Sequence, residues 1–200
     1  KTNQVSKKEA SLLLPILHHP NPLFILGFVS LELLHDTSFG IRYLIVLHSI
    51  SFLFLVITYF IFPKGDIQHS SVKIVSPFTT AIKDTIQPIT IVATTIIFFS
   101  TINVIISHFI SHYFETIPSL LQLILSSSLE ITNGIFTAYQ FLPIDALTLF
   151  LVFYLTTQSL SIHIQVYVIA KEQMISMIPY ILLRITFSIL VPITYFIFFT

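Results

Sequence analysis

The chain has 200 residues, 54% of them hydrophobic and 9% charged, with a formal net charge of zero. A soluble domain carries about 25% charged residues, so a soluble fold of this size could not cover its own surface, and a mean hydropathy of +0.92 is membrane protein composition. Zero net charge leaves no electrostatic footprint for nucleic acid, and the lack of cysteine excludes disulfides and thiolate chemistry.

The opening, Lys1-Thr2-Asn3-Gln4, stays polar to Glu9 and carries no secretory pattern. It reads as a cut through a longer protein. Residues 23–34 are apolar but number about 12, too few to cross a bilayer. They follow Pro20-Asn21-Pro22, which predicts an Asn N-cap with proline at the first helical position. Residues 43–63 hold no charge and predict a conventional span. Arg42 and Lys64 bracket it as interface anchors. Residues 64–84 predict an interfacial loop in which Val75, Phe78, Ile82 and Ile86 fall near helical spacing. Lys64, Lys73 and Lys83 hint at the cytoplasmic side, little weakened by Asp66 and Asp84. Residues 85–114 predict a second span, with His108, His112 and Glu115 near the opposite face. Residues 175–200 predict a third, in which Arg184 lies close enough to an end to snorkel.

Two apolar segments are interrupted by polar residues. Residues 117–139 could cross but contain Glu130-Ile131-Thr132-Asn133-Gly134. Residues 146–170 contain the run from Thr156 to Gln165. Non-helical backbone at membrane depth persists only beside protein or a wet cavity, and broken helices build the midplane sites of many transporters. The fold class is therefore an all-α, multi-pass transmembrane helical bundle with half-length or broken helices, in one membrane domain.

Glu130 is the first candidate, because a charge at the bilayer centre costs roughly 2.5–3.5 kcal/mol on insertion scales. Gly134 suits a helix C-cap. That would put Glu130 in the last turn of a half-helix, where the negative end of the dipole opposes its ionisation. Thr132 and Asn133 would offer hydrogen bonds to a solute. A surface loop joining two short helices is the alternative. In the second run, Ser159 or Ser161 can cap a helix whose N–H groups attract anions. Gln158, His163 and Gln165 add donors and acceptors. The alternative there is polar helix–helix glue. With Asn21 at the earlier helix start, the candidate substrate-binding set is Asn21, Glu130, Thr132, Asn133, Gln158, Ser161, His163 and Gln165. Glu32 either lines the cavity or marks the exit of its segment.

Catalytic chemistry has no support in the sequence. His108 and His112 share a helix face, but no third ligand follows at motif spacing. His18 and His19 are adjacent and would not face one another on a helix. No phosphate loop, nucleophile elbow or paired catalytic carboxylates occur. Neither an enzyme nor a cofactor or metal site is expected.

The stretch PNPLFILGFV (20–29), followed by LLHDTSFGIRYLIVLHSIS (33–51), resembles a segment of the YlbJ family of sporulation integral membrane proteins. LEITNG (129–134) and SLSIHIQV (159–166) resemble that family's second and third signatures, in the same order and spacing. The family belongs to the nucleoside-recognition, or Gate, group, similar to concentrative nucleoside transporters. The resemblance covers nearly the whole chain from about Glu9 and implies the C-terminal half of a permease, whose N-terminal half would be a partner. It further implies endospore formation and movement of dipicolinate, a small aromatic dicarboxylate, across a bacterial cell or forespore membrane. The family's usual glycines around the third signature are largely absent, with Gln158 and Ser159 in their place. The partners expected are the lipid bilayer and a small solute, anionic in the dicarboxylate case. A non-transporting sporulation scaffold and a nucleoside-type transporter are the alternatives.

Overall fold

The structure, a computed structural model, describes residues 6–61, 77–114 and 118–199. Lys64, Asp66, Lys73, Val75 and Glu115 lie outside the described residues. Within them the fold is an all-α bundle of short and long helices, with no strand.

Helix lengths already sort the elements. Helix α2 (Thr37–Ile61), α3 (Pro77–Tyr113) and α8 (Ile178–Phe199) have 25, 37 and 22 residues. At about 1.5 Å per residue each exceeds the roughly 30 Å of bilayer hydrocarbon. Helices α4 (Ser119–Leu129) and α5 (Ile131–Phe141) have 11 residues each, or about 16 Å, half a membrane. Helices α6 (Ile144–Thr157) and α7 (Leu160–Glu172) are also short, although together they make a fourth stretch long and apolar enough to cross. The three predicted conventional spans are α2, α3 and α8. Residues 77–84, the end of the expected interfacial loop in which Phe78 and Ile82 fall near helical spacing, form the first turns of α3.

Before α2 come α1 (Lys7–Leu17) and a π-helix, Phe24–Leu33. Ser6 and Glu9 close a capping box on α1: the Glu9 N–H donates to Ser6 Oγ (3.2 Å), and the Ser6 N–H donates to Glu9 Oε2 (2.8 Å). Asn21 caps the second segment as its spacing predicts, with Oδ1 accepting from the Leu23 N–H at 2.9 Å. The backbone of the π-helix then makes the wider bond from Leu34 N–H to Val29 O.

The chain packs as two compact units. One holds α1, the π-helix, α2, α6 and α8. Its core is Ile16, Val29, Phe39, Tyr43, Leu47, Leu151, Leu155, Phe187 and Val191, all buried. Gly40 of α2 sits against Ser30 of the π-helix, so close that a Cβ there would overlap Ser30 Oγ. The other unit holds α3, α4, α5 and α7. Helix α4 folds back on α5, and α3 packs against both α4 and α7. Large apolar side chains stand exposed along the long helices, including Ile57, Phe60, Ile97, Phe98, Val104 and Phe198. On a chain with so few charges, such faces fit lipid rather than water.

Candidate functional site

The two observed breaks, at Glu130 and at Gln158 and Ser159, fall in the unit built on α3. At the first, Glu130 stands between two helices and belongs to each. Its N–H donates to the Ser126 carbonyl (3.1 Å) and closes α4, while its carbonyl accepts from the Gly134 N–H (3.0 Å) and opens α5. Its backbone is extended, at φ −144° and ψ 135°. Its side chain is buried, at 1% exposure, and Oε2 accepts from the Asn133 N–H at 2.9 Å. The carboxylate is thus the N-cap of α5 and faces that helix's positive pole.

This corrects the expected break. Gly134 does not end a helix: it is buried within the first turns of α5. The negative pole of α4 also lies at Glu130, but the side chain turns to the N–H end of α5. The expected placement against the negative pole of α4 is therefore not the one the side chain adopts.

Asn133 carries the site outward. Its side-chain amide donates to Ser100 Oγ of α3 at 3.1 Å. One turn further along α3, Asn103 Nδ2 donates to Ser126 Oγ of α4 at 3.3 Å. On the other side, Gln165 of α7 donates to Thr95 Oγ1 at 2.8 Å. Thr95, Ser100 and Asn103 thus run as a polar stripe on α3 that ties α4, α5 and α7 together. The sequence reading missed all three, because they lie in a span chosen for its lack of charge. Their polarity amid isoleucine and phenylalanine was the available signal.

The second interruption is confined to Gln158 and Ser159. Gln158 takes a left-handed φ of 68°. Ser159, at φ −93° and ψ 167°, occupies the N-cap position of α7. Of the two serines proposed as caps, Ser159 has the position, but its hydroxyl bonds Ser161 Oγ (2.9 Å) and makes no side-chain cap. Gln158, Ser159 and Ser161 are all buried, and Gln158 Oε1 has no hydrogen-bond partner. An unmet buried acceptor beside an uncapped helix start is the kind of unspent polar capacity that functional sites carry. Thr132, Asn133, His163 and Gln165 are half-buried. Asn21 is exposed and belongs to the other unit, in a groove it shares with Glu32. His108 and His112 are exposed near the end of α3.

Arg184 departs most from its expectation. It does not snorkel: it is 4% exposed in the second turn of α8. Its guanidinium donates to the Thr156 carbonyl (3.1 Å) and the His18 carbonyl (2.6 Å), and lies 5.2 Å from the Tyr180 ring centroid. Tyr43 Oη meets Thr156 Oγ1 at 3.2 Å, extending the network into α2. His19, next to the residue that holds Arg184, bonds Ser51 Oγ at 2.7 Å and stacks on Phe187. The adjacent histidines serve one polar core because the chain there has left the helix, so the helical-spacing argument does not apply to them.

No protein-family model, curated protein or solved structure matches the chain. Composition and, among the described residues, four apolar stretches long enough to cross a bilayer make it a membrane protein.

Proposed function

We propose that the chain forms part of a multi-pass permease for a small solute, of the kind implied by its resemblance to the YlbJ group. Dipicolinate in a bacterial cell or forespore membrane is the favoured cargo. The observation that carries this reading is the pair of interruptions in one unit. A buried carboxylate caps one half-helix at Glu130, and an uncapped helix start lies beside the orphaned Gln158 Oε1. Transporters place such broken helices at their binding sites. The N–H groups of α7 suit an anion, while an ionised Glu130 would repel one. On this reading Glu130 governs whether a dicarboxylate can enter.

The test is uptake by proteoliposomes that hold the chain with the N-terminal half implied by the resemblance. Labelled dipicolinate and a nucleoside serve as separate cargoes. Dipicolinate uptake altered several-fold by Glu130→Gln is the expected result. Nucleoside uptake alone points to the nucleoside-type alternative, and uptake of neither overturns the permease.

A second reading, a non-transporting membrane scaffold, is favoured by one observation. Asn133, Asn103 and Gln165 all spend their amides on hydrogen bonds between helices, as polar glue does. Because the chain lacks cysteine, single cysteines at Thr132, Asn133 and Ser161 separate the two. Labelling by a water-soluble reagent favours a cavity, and protection of all three favours the scaffold.

A further inference from the structure

A cavity of about 380 Å³ opens where α2 begins, α6 begins and α8 ends, all within one unit. That volume falls within the roughly 300–1,000 Å³ of small-ligand sites. Asp36, Arg42 and Asp145 line it together with Phe39, Tyr195 and Phe199.

Each charge has an ordinary explanation taken singly. Asp36 accepts from the Ser38 N–H at 2.9 Å at the start of α2. Asp145 sits in the first turn of α6, where an acid suits the dipole. Arg42 is placed like an interface anchor. These explanations leave open why two carboxylates and a guanidinium converge on one cavity, where the Arg42 charge acts on Asp36. The aromatic wall is fixed from behind. Phe39 and Tyr195 are buried, 6.0 Å apart between centroids, and Phe39 stacks on Tyr43. Arg42 lies over the Phe199 ring at 5.6 Å, which holds the guanidinium while leaving its N–H edge available for an anion.

We propose that this cavity binds a small zwitterion, an ammonium joined by a short linker to a phosphate or carboxylate. The ammonium lies against Asp36, Asp145 and the aromatic faces, and the anion lies on Arg42. The cavity sits at the ends of helices long enough to cross a bilayer, where lipid headgroups would meet it. An ethanolamine phospholipid and a soluble zwitterion present the same chemistry there. The inference does not rest on the permease reading, because Glu130 belongs to the other unit.

Calorimetric titration of the detergent-purified protein with O-phosphoethanolamine tests a soluble source. Retention of phosphatidylethanolamine over phosphatidylglycerol in nanodiscs tests a lipid one. Arg42→Gln and Asp145→Asn should each weaken the effective probe by tenfold or more, with an unchanged melting temperature. Thr148→Leu, which narrows the cavity without altering charge, should weaken it as well and serves if a charge variant does not fold. Binding in the soluble arm or selective retention in the lipid arm supports the proposal and names the source. Failure of both arms, equal retention of the two lipids, or affinity unchanged in all the variants overturns it.

Discussion

Glu130 accepts a hydrogen bond from the backbone N–H of Asn133, 2.9 Å away, at the point where α4 ends and α5 begins. One side chain therefore sets the geometry of the break. Losing a good N-cap costs about 0.5–2 kcal/mol. Glu130→Ala should destabilise the protein by about 1 kcal/mol relative to Glu130→Gln, whose amide oxygen still accepts. Melting curves in one detergent would show it; equal melting temperatures for the two variants would remove the capping role.

A different balance governs Arg184. Its partners are two carbonyls, the His18 ring Nδ1 at 3.3 Å and an aromatic face rather than a carboxylate. Arg184→Met leaves carbonyls unpaired, at about 1–3 kcal/mol each, but also removes a buried charge that was itself costly. Arg184→Lys keeps the charge and loses the fork that reaches Thr156 and His18 at once. Lysine should therefore be at least as destabilising as methionine, against the usual ranking by similarity. A lysine variant that melts like the parent would show that charge alone matters there.

Gly40 and Ser30 make a contact with no room for a methyl group. Gly40→Ala should cost about 1–3 kcal/mol, the usual range for overpacking. Ser30 Oγ is buried without a partner, so Ser30→Ala alone should be close to neutral. The double variant should recover only part of the loss, because the hydroxyl is the nearest obstacle and Leu26 Cδ2 at 3.1 Å and Ser30 Cβ at 3.2 Å remain behind it. Strict additivity in a double-mutant cycle would contradict the contact.

Ahead of α2, the Ser38 hydroxyl beside Asp36 holds its carboxyl below the usual carboxylate range, helped by the Ser38 N–H. A carboxyl depressed on folding contributes stability above its unfolded value, about 3.9, and loses it as pH falls through the lower folded value. The parent should therefore lose stability on acidification below about pH 4 more steeply than Asp36→Asn. Asp36 is exposed, so the difference is small. Parallel acid titrations by circular dichroism would measure it, and coincident curves would refute it.

Local rules were legible where the deciding neighbours are close in sequence. Asn21 and Pro22 announce a helix start that needs only the next few residues, and the start is there. Glu130 was located as a break, but its direction was misread. Glycine is the commonest residue just past a helix end, so Gly134 drew the boundary four residues too late. Nothing local marks an extended glutamate as both the last donor of one helix and the cap of the next. Arg184 was misplaced for a related reason. Whether an arginine snorkels or turns inward depends on which carbonyls face it, and those of Thr156 and His18 lie 28 and 166 residues away in sequence. The same distance hid the convergence of Asp36, Arg42 and Asp145 on one cavity.

Gln158 joins these two kinds of information. Its neighbours in sequence give it no glycine-like freedom, yet the structure gives Gln158 a φ of 68°, the region that glycine enters without penalty. For a residue with a Cβ the left-handed region costs roughly 1–2 kcal/mol. The orphaned Oε1 adds the cost of an unmet buried acceptor. Gln158→Gly removes both terms and loses side-chain packing, so it should stabilise by about 1 kcal/mol. Gln158→Val, β-branched at the same φ, should destabilise by at least that much. If the amide instead serves a solute, Gln158→Gly will stabilise the protein while weakening uptake, because the solute would complete the unpaired acceptor. Glycine that leaves uptake intact and raises the melting temperature would mark Gln158 as strain without a role in binding.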